Sequence, residues 1–259
     1  MGARKVRVAV CARELLGSAR MQGPALREFY DREYHFGEDV DRPNPERLWR
    51  AVRELEPLAG TTLLDLGCGV GWATRLAAKR GRVRDAVGLD FSRTALHAAA
   101  SSGKTDGTDG TDGTAGAPAG ASEHEPARIA WVCGDGTALP FPAGAFDRAF
   151  SFGSMEHFPD VAAGFRELAR VLRPGAIAVT VVPNFYVRTA QPVEHRDTEA
   201  GWRRLITGAG LEVVRVRADP GPAIFKNRRP VRIVLRLGLR LLGLVPAFRY
   251  QFIFVMRKP

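Results

Sequence analysis

Residues 63–81 read LLDLGCGVGWATRLAAKRG, and this stretch decides the fold. It starts as an apolar strand that ends at Asp65, and it becomes a helix near Trp72. Between the two lies a loop with three alternating glycines, Gly67, Gly69 and Gly71. Glycines allow a tight turn and a close approach of a ligand to the backbone, and the helix start beyond them presents free N–H groups. The stretch therefore predicts a ligand-binding turn between a strand and a helix.

A second strand, AVGLD, ends in Asp90, where an acidic side chain can hydrogen-bond the hydroxyls of a ribose. Dinucleotide-binding loops place a third glycine where this chain has Trp72, and they seat a pyrophosphate on the helix start. The Asp65 carboxylate would repel phosphates but would suit an ammonium group. S-adenosylmethionine carries an ammonium, a sulfonium and no phosphate, so the charges favour this cofactor over NAD.

Short apolar runs alternate with helical segments from Thr61 to Asn184. This alternation predicts a mostly parallel sheet with helices on both faces. Apolar residues at helical spacing predict one or two helices ahead of it, between Pro24 and Leu58. A further helix at 199–210 and strands near 211–218 and 250–258 follow the alternating region.

Four stretches resemble one known family. They are DLGCGVG (65–71), VGLDFS (87–92), CGDGTALPFPAGAFDRAFSFGSMEHFPD (133–160) and RELARVLRPGAIAVTVVPN (166–184). Together they resemble the class I S-adenosylmethionine-dependent methyltransferases, in particular the UbiE-like and type 11 groups. The resemblance covers residues 60–185 in detail and 200–259 in outline. It implies a Rossmann-like α/β fold with a seven-stranded, mostly parallel sheet, an antiparallel last strand and an N-terminal helical cap.

The resemblance also implies S-adenosylmethionine as cofactor and a set of residues that hold it. The set is Tyr30, Tyr34, Asp65, Gly67, Gly69, Gly71, Asp90, Phe91, Asp135, Gly136 and Ser151. In this family the glycines approach the cofactor through their backbone, and Asp65 lies below the methionine moiety. Asp90 holds the ribose hydroxyls beside Phe91, while Asp135 accepts from the adenine amine.

The remaining implied contacts concern Gly136, Ser151 and the two tyrosines. Gly136 would supply a backbone contact, and Ser151 with Phe152 would face the methyl-transfer site. Tyr30 and Tyr34 would close over the cofactor. Structural alternatives stay open: Asp90 as a cap of the helix that starts at Ser92, Asp135 as a turn residue, and both tyrosines as core residues.

The candidate catalytic residues are His157 in SMEHFPD and His195 in QPVEHRD. Methyl transfer needs a general base only if the acceptor must lose a proton, and a structural role for either histidine remains open. The place after the fourth strand reads SFGS, so it lacks both the [DN]-P-P-[YF] box of amine-directed enzymes and the Pro-Cys nucleophile of cytosine-C5 enzymes. The acceptor is therefore expected to be small or lipid-like, methylated on oxygen, carbon or nitrogen.

We divide the chain into an N-terminal extension and helical cap (1–58) and a methyltransferase domain (59–259). Residues 1–20 have little periodicity and are expected to be dispensable. Residues 101–122 are rich in Gly, Thr, Asp and Ala, which predicts a disordered loop. Their DGT repeats do not match the spacing of known calcium repeats, and the three cysteines show no zinc spacing, so no metal site is expected.

The net charge of +10 is concentrated near the chain end, because residues 201–259 carry 13 Lys/Arg against two Asp/Glu. Residues 219–249 are predicted to be a basic amphipathic helical insertion in which Arg228, Arg232, Arg236 and Arg240 share one face. Such a helix can lie on an anionic membrane surface through 228–245. It could instead pack on the domain's own core or roof the acceptor pocket.

The sequence leaves two alternative functions open. An RNA-directed methyltransferase would use the basic ends to bind phosphates, although the tail lacks interleaved aromatic residues, so nucleic acid is the less favoured partner. The other rival is a different transferase, or a non-catalytic S-adenosylmethionine-binding protein. The chain shows neither a signal-peptide pattern nor an apolar run long enough to span a bilayer. A cytoplasmic location with peripheral association at the inner membrane face is expected.

Overall fold

The computed structural model describes residues 23–32, 45–102, 127–188, 191–219 and 249–259. Within them the chain forms seven β-strands and six α-helices. The strands are β1 (Thr62–Leu66), β2 (Asp85–Asp90), β3 (Arg128–Cys133), β4 (Phe146–Phe152), β5 (Leu172–Pro183), β6 (Glu212–Asp219) and β7 (Gln251–Arg257). The helices are α1 (Gly23–Arg32), α2 (Pro45–Val52), α3 (Trp72–Gly81), α4 (Arg93–Ser102), α5 (Val161–Val171) and α6 (Glu199–Gly208), with short 3-10 helices at Arg53–Leu55 and Met155–His157.

All seven strands belong to one sheet in the order β3-β2-β1-β4-β5-β7-β6. The first five strands of this order are parallel, and β7 runs antiparallel to both β5 and β6. The predicted Rossmann-like sheet with an antiparallel last strand is therefore confirmed. The strand order reverses between β1 and β4, and ligands of open α/β sheets bind at the carboxyl ends of the strands at such a reversal.

The hydrophobic core lies on both faces of this sheet. On one face, α5 and α6 bury Phe165, Leu168 and Trp202. On the other, Val52 and the residues that follow it join the cluster that contains β1 and α3. Residues 45–58, which the sequence assigned to the cap, therefore pack into the core of the sheet domain, where each large buried side chain contributes about 1.5–3 kcal/mol.

Several sequence predictions fall partly or wholly outside the described residues. These are Tyr34, the extension 1–20, most of the loop 101–122 and nearly all of the insertion 219–249. Helix α4 extends two residues into the predicted loop, and there the Ser101 and Ser102 hydroxyls donate to carbonyls one turn back at 2.8 Å. Among the described helices, none has the length and apolarity needed to cross a bilayer.

Candidate functional site

A cavity of about 380 Å³ lies at the carboxyl ends of β1, β2 and β4, where the strand order reverses. Segments from widely separated parts of the sequence line it. They are residues 67–70, 89–91, 134–136, 152–154 and 157–159, together with Gly23, Leu26, Tyr30, Trp72 and Gln191. The fold therefore brings the predicted glycine loop, the end of β2 and the segment after β4 to one site.

The glycine loop has a backbone that only glycine adopts easily. Gly67, Gly69 and Gly71 have φ angles of 78°, 53° and 77°. Gly67 also faces Ser154, whose Oγ donates to the Gly67 carbonyl at 2.9 Å. A Cβ added at Gly67 would lie 2.3 Å from the Ser154 Cβ, so a larger residue cannot fit. The loop is thus tied to the segment after β4.

The Trp131 and Arg75 side chains, which the sequence pattern did not indicate, contact Gly71 and its neighbour Val70. A Cβ at Gly71 would lie 2.3 Å from the Trp131 ring, which also lies against Gly88. The Arg75 guanidinium donates to the carbonyls of Val70 (2.7 Å) and Ala99 (3.0 Å), and its centre lies 5.7 Å from the centroid of the Trp131 ring. These contacts hold the loop backbone from beneath. Gly71 itself is not among the lining residues.

Asp90 lies in the cavity wall and also organises the loop. Its Oδ2 accepts from the Gly69 N–H at 2.7 Å, and its Oδ1 accepts from the Ser92 N–H at 2.9 Å. Burial raises the pKa of Asp90. Ser92 caps α4 by accepting from the Ala95 N–H at 3.2 Å. Asp90 therefore orders the turn into α4 and faces the cavity at the same time.

Asp65 lies beneath the loop rather than in the cavity wall. It is 2% exposed and accepts from the Thr74 hydroxyl at 2.5 Å. Burial, with a smaller contribution from the charge of Asp90, raises the pKa of Asp65 to about 7. The neighbouring Cys68 is a small buried side chain whose pKa is also raised by burial, so its thiol is unsuited to act as a nucleophile.

The cavity wall also contains Phe91, Asp135 and Gly136. Asp135 Oδ1 accepts from both the backbone N–H (2.8 Å) and the hydroxyl (2.7 Å) of Thr137, which forms a turn. Because Asp135 also lines the cavity, the turn role and the ligand role are compatible. A Cβ at Gly136 would lie 2.3 Å from the Phe158 ring, so this position requires glycine for close packing.

Helix α1 covers one side of the cavity. Its Tyr30 hydroxyl donates to Gln191 Oε1 at 2.6 Å, and both residues line the cavity. Asp31 accepts from the Ser92 hydroxyl at 2.7 Å, and the Arg27 guanidinium lies 4.5 Å from the centroid of the Phe91 ring. Helix α1 therefore contacts the same turn that carries Asp90.

The two candidate catalytic histidines are placed differently. His157 lines the cavity, and its Nδ1 donates to the Val193 carbonyl at 2.7 Å. The neutral ring thus carries its lone pair on Nε2, and burial lowers the pKa of His157 and favours this neutral form. His195 is not among the lining residues. Its ring meets Trp202 edge-on at 4.9 Å, and its Nε2 lies 3.8 Å from an Asp197 oxygen.

Ser151 is also outside the cavity lining, although the next residue, Phe152, lines it. Successive side chains of a strand point to opposite faces, so the Ser151 side chain points away from that of Phe152. Ser151 is completely buried within the sheet, where its carbonyl accepts from the Thr180 hydroxyl at 3.2 Å.

Comparison with known proteins identifies the chain. The methyltransferase domain family model matches residues 64–180. Methyltransferase GfsG of Streptomyces halstedii is 30% identical over 216 residues, which cover 74% of this chain and 70% of that protein. The chain belongs to the S-adenosylmethionine-dependent methyltransferases. The resemblance seen in the sequence is confirmed, and S-adenosylmethionine is the cofactor.

Two further comparisons describe the extent of the likeness. A demethylmenaquinone methyltransferase of Corynebacterium kroppenstedtii is 35% identical over 133 residues, which cover 50% of this methyltransferase and 46% of the relative. The chain thus matches about half of that protein's length. The structure of phosphoethanolamine N-methyltransferase 2 of Haemonchus contortus, in complex with S-adenosyl-L-methionine, superposes with a TM-score of 0.64 and 18% identity. The superposition covers 90% of this chain and 60% of the Haemonchus contortus chain, and the two proteins share the fold.

The cavity of this methyltransferase fits its cofactor in shape and charge. The glycine loop lines the cavity, and Asp90 and Asp135 present carboxylates to it. None of the described lining residues is Lys or Arg. A ligand with a sulfonium and an ammonium is favoured in such a site, whereas a pyrophosphate is not. The cofactor supplies a methyl group activated by the positive sulfur.

Proposed function

We propose that this methyltransferase transfers the methyl group to a hydroxyl oxygen of a small, largely apolar acceptor. The observation that carries the proposal is the position of His157, a neutral imidazole in the wall of a mostly apolar cavity. The apolar lining includes Leu26, Trp72, Phe152, Phe158 and Pro159. An apolar cavity with few polar groups is typical of a site that binds a lipid-like molecule.

His157 supports the choice of a hydroxyl as the methylated group. An alcohol or phenol must lose its proton when the new O–C bond forms, whereas a thioether or tertiary amine need not. Because His157 Nδ1 donates to the Val193 carbonyl, Nε2 is the nitrogen that can take this proton. Other polar side chains of the lining already have partners, since Tyr30 donates to Gln191 and Ser154 donates to the Gly67 carbonyl.

The named relatives support the same class of acceptor. The demethylmenaquinone methyltransferase of Corynebacterium kroppenstedtii is named for a quinone substrate. The match covers half of this chain, so the likeness supports a lipid-like acceptor without specifying which one. His195 is a weaker candidate for the base, because its ring packs against Trp202 outside the cavity lining.

The proposal is tested with S-adenosylmethionine that carries a radiolabelled methyl group and an organic extract of cells as the acceptor source. Label should enter the organic phase only when active protein is present. The variant His157→Asn keeps a donor for the Val193 carbonyl but lacks Nε2. It should lower the rate of methyl transfer by about 10²–10⁴-fold. Unchanged transfer by His157→Asn would show that His157 is not the base. Label confined to water-soluble material would show that the acceptor is not lipid-like.

We also propose that the protein associates peripherally with an anionic membrane. One support is the sequence of the basic segment 228–245, which lies outside the described residues. Phe185 and Tyr186 add support, since their side chains are 52% and 43% exposed. The Tyr186 hydroxyl donates to the Arg249 carbonyl at 2.6 Å. Aromatic rings with a polar tip suit the boundary between lipid and water.

Sedimentation with liposomes tests the membrane proposal. Protein should sediment with anionic vesicles at low salt and stay in solution with neutral vesicles, because the arginines meet lipid phosphates. Replacing Arg232, Arg236 and Arg240 by Gln should release it. Protein that stays in the supernatant with anionic vesicles at low salt would disprove the association.

A further inference from the structure

The carboxyl group of Glu156 is buried beside the cavity. Glu156 lies in the 3-10 helix Met155–His157 and is 2% exposed. Its Oε2 is buried and makes no hydrogen bond within the described part of the chain. Its Oε1 lies 3.9 Å from His157 Nε2. In these residues no Lys or Arg forms an ion pair with it.

The other charged groups around Glu156 in the described residues do not neutralise the negative charge that its carboxylate would carry. From the segment after β5, Glu194 adds a second negative charge, and it lies 3.6 Å from the Arg196 guanidinium. Strand β5 packs on the 3-10 helix, but its single ionisable side chain, Arg173, pairs with Asp147 at 2.6 Å at the start of that strand. Helix α5 packs there through Gly164, which lies against Met155 and Phe158.

An isolated carboxylate in such a place is strongly unfavourable, so the group keeps its proton instead. Burial, with a contribution from the charge of Glu194, accordingly raises the pKa of Glu156 to about 8. At neutral pH the side chain is therefore a neutral acid while the cavity holds no cation.

The position of Glu156 connects this proton to the ligand site. A Cβ at Gly153 would lie 3.8 Å from Glu156 Oε1, and Gly153 and His157 both line the cavity. The lining has no Lys or Arg among the described residues. Binding of a cationic ligand beside Gly153 and His157 would thus bring a positive charge close to Glu156 and favour its ionised form.

We propose that Glu156 releases its proton to solvent when the sulfonium of S-adenosylmethionine binds, and that the carboxylate so formed makes the site prefer the cofactor over S-adenosylhomocysteine. The demethylated product has an uncharged sulfur, so its binding does not stabilise the ionised form of Glu156. The binding step changes only the O–H bond of Glu156. The inference depends on cofactor binding and not on the identity of the methyl acceptor.

Calorimetric titration in buffers of different ionisation enthalpy counts the protons released. The titrations use S-adenosylmethionine and S-adenosylhomocysteine at about pH 6, where the amino groups of both ligands remain protonated. Wild-type protein should release more protons with S-adenosylmethionine than with S-adenosylhomocysteine. Glu156→Gln, which is neutral and of the same shape, should release equal numbers with both ligands. Its preference for S-adenosylmethionine should fall by about tenfold, because a gain of that size at pH 6 corresponds to a pKa of Glu156 that falls from about 8 to about 5 on binding.

Glu212→Gln is the matched control, because Glu212 is a half-exposed residue of β6 that pairs with Arg257. This variant should behave as the wild type does. Equal proton release by the wild type with both ligands would overturn the inference, and this comparison requires no variant to fold. An unchanged difference between the two ligands in folded Glu156→Gln would overturn it as well. Either result would leave the proposed hydroxyl acceptor untouched.

Discussion

The Gly69 N–H donates to Asp90 Oδ2 over 2.7 Å, which joins the glycine loop after β1 to the end of β2. Asp90 Oδ1 accepts from the Ser92 N–H at 2.9 Å, which fixes the start of α4. Each carboxylate oxygen can accept two hydrogen bonds, so the carboxylate retains capacity for a ribose hydroxyl. One side chain thus shapes the cavity and remains available to the cofactor within it.

Replacing Asp90 by Ala should weaken the binding of S-adenosylmethionine by about 1.5–3 kcal/mol, the scale of hydrogen bonds to a charged group. Calorimetry measures this directly. Asp85→Ala is the control, because Asp85 lies at the other end of β2 and pairs with Arg84 and Arg128 at the surface. Equal affinity of the Asp90→Ala and Asp85→Ala variants would contradict the assignment of the ribose site.

The sequence was sufficient to predict the sheet, the glycine loop and Asp90, because those features follow from local backbone patterns. It was not sufficient for Trp131 and Arg75, which support the loop through contacts between separate elements. Ser151 was expected in the cavity from its place at the end of β4, but strand alternation turns it away from Phe152. The burial that isolates Glu156 depends on three-dimensional packing, and the sequence pattern contains no sign of it.

Gly71 and Gly175 provide a matched pair for separating backbone strain from packing. Both have positive φ angles, 77° and 78°, but only Gly71 faces a neighbour at the Cβ position, namely Trp131. Gly175→Ala should lower the free energy of unfolding by about 1–2 kcal/mol through backbone strain. Gly71→Ala should lower it by roughly 1–3 kcal/mol more through overpacking. Denaturant unfolding measures both values, and equal losses would show that Trp131 does not constrain the loop.

The hydrogen bond from Tyr30 to Gln191 should help to retain the cofactor, because both residues line the cavity and lie on separate elements. Tyr30→Phe should weaken cofactor binding by about 0.5–1.5 kcal/mol, the net contribution of one hydrogen bond. Gln191→Leu should have a similar effect, and the double variant should lose no more than either single one. Additive losses in this cycle would mean that the two side chains act independently.

The raised pKa values of Glu156 (about 8) and Asp65 (about 7) predict how the stability of the cofactor-free protein depends on pH. Both groups are more easily protonated when folded than when unfolded. Their contribution to the free energy of unfolding is therefore complete below their ordinary pKa values and is lost as pH rises through the raised ones. Thermal melts from about pH 5 to about pH 8 should show a falling Tm, and Glu156→Gln should flatten this fall. Parallel curves for the variant and the wild type would refute the assignment.

The central claim is that this methyltransferase methylates an apolar hydroxyl compound, and mass spectrometry tests it most directly. Protein is incubated with a cell extract and S-adenosylmethionine whose methyl group carries deuterium, and the organic and aqueous fractions are compared. We expect an organic-soluble product that carries one deuterated methyl on oxygen, formed by the wild type and formed much more slowly by His157→Asn and, at subsaturating cofactor, by Asp90→Ala. A deuterated methyl found only in RNA or other polar material, or on carbon or nitrogen in the organic product, would contradict the claim.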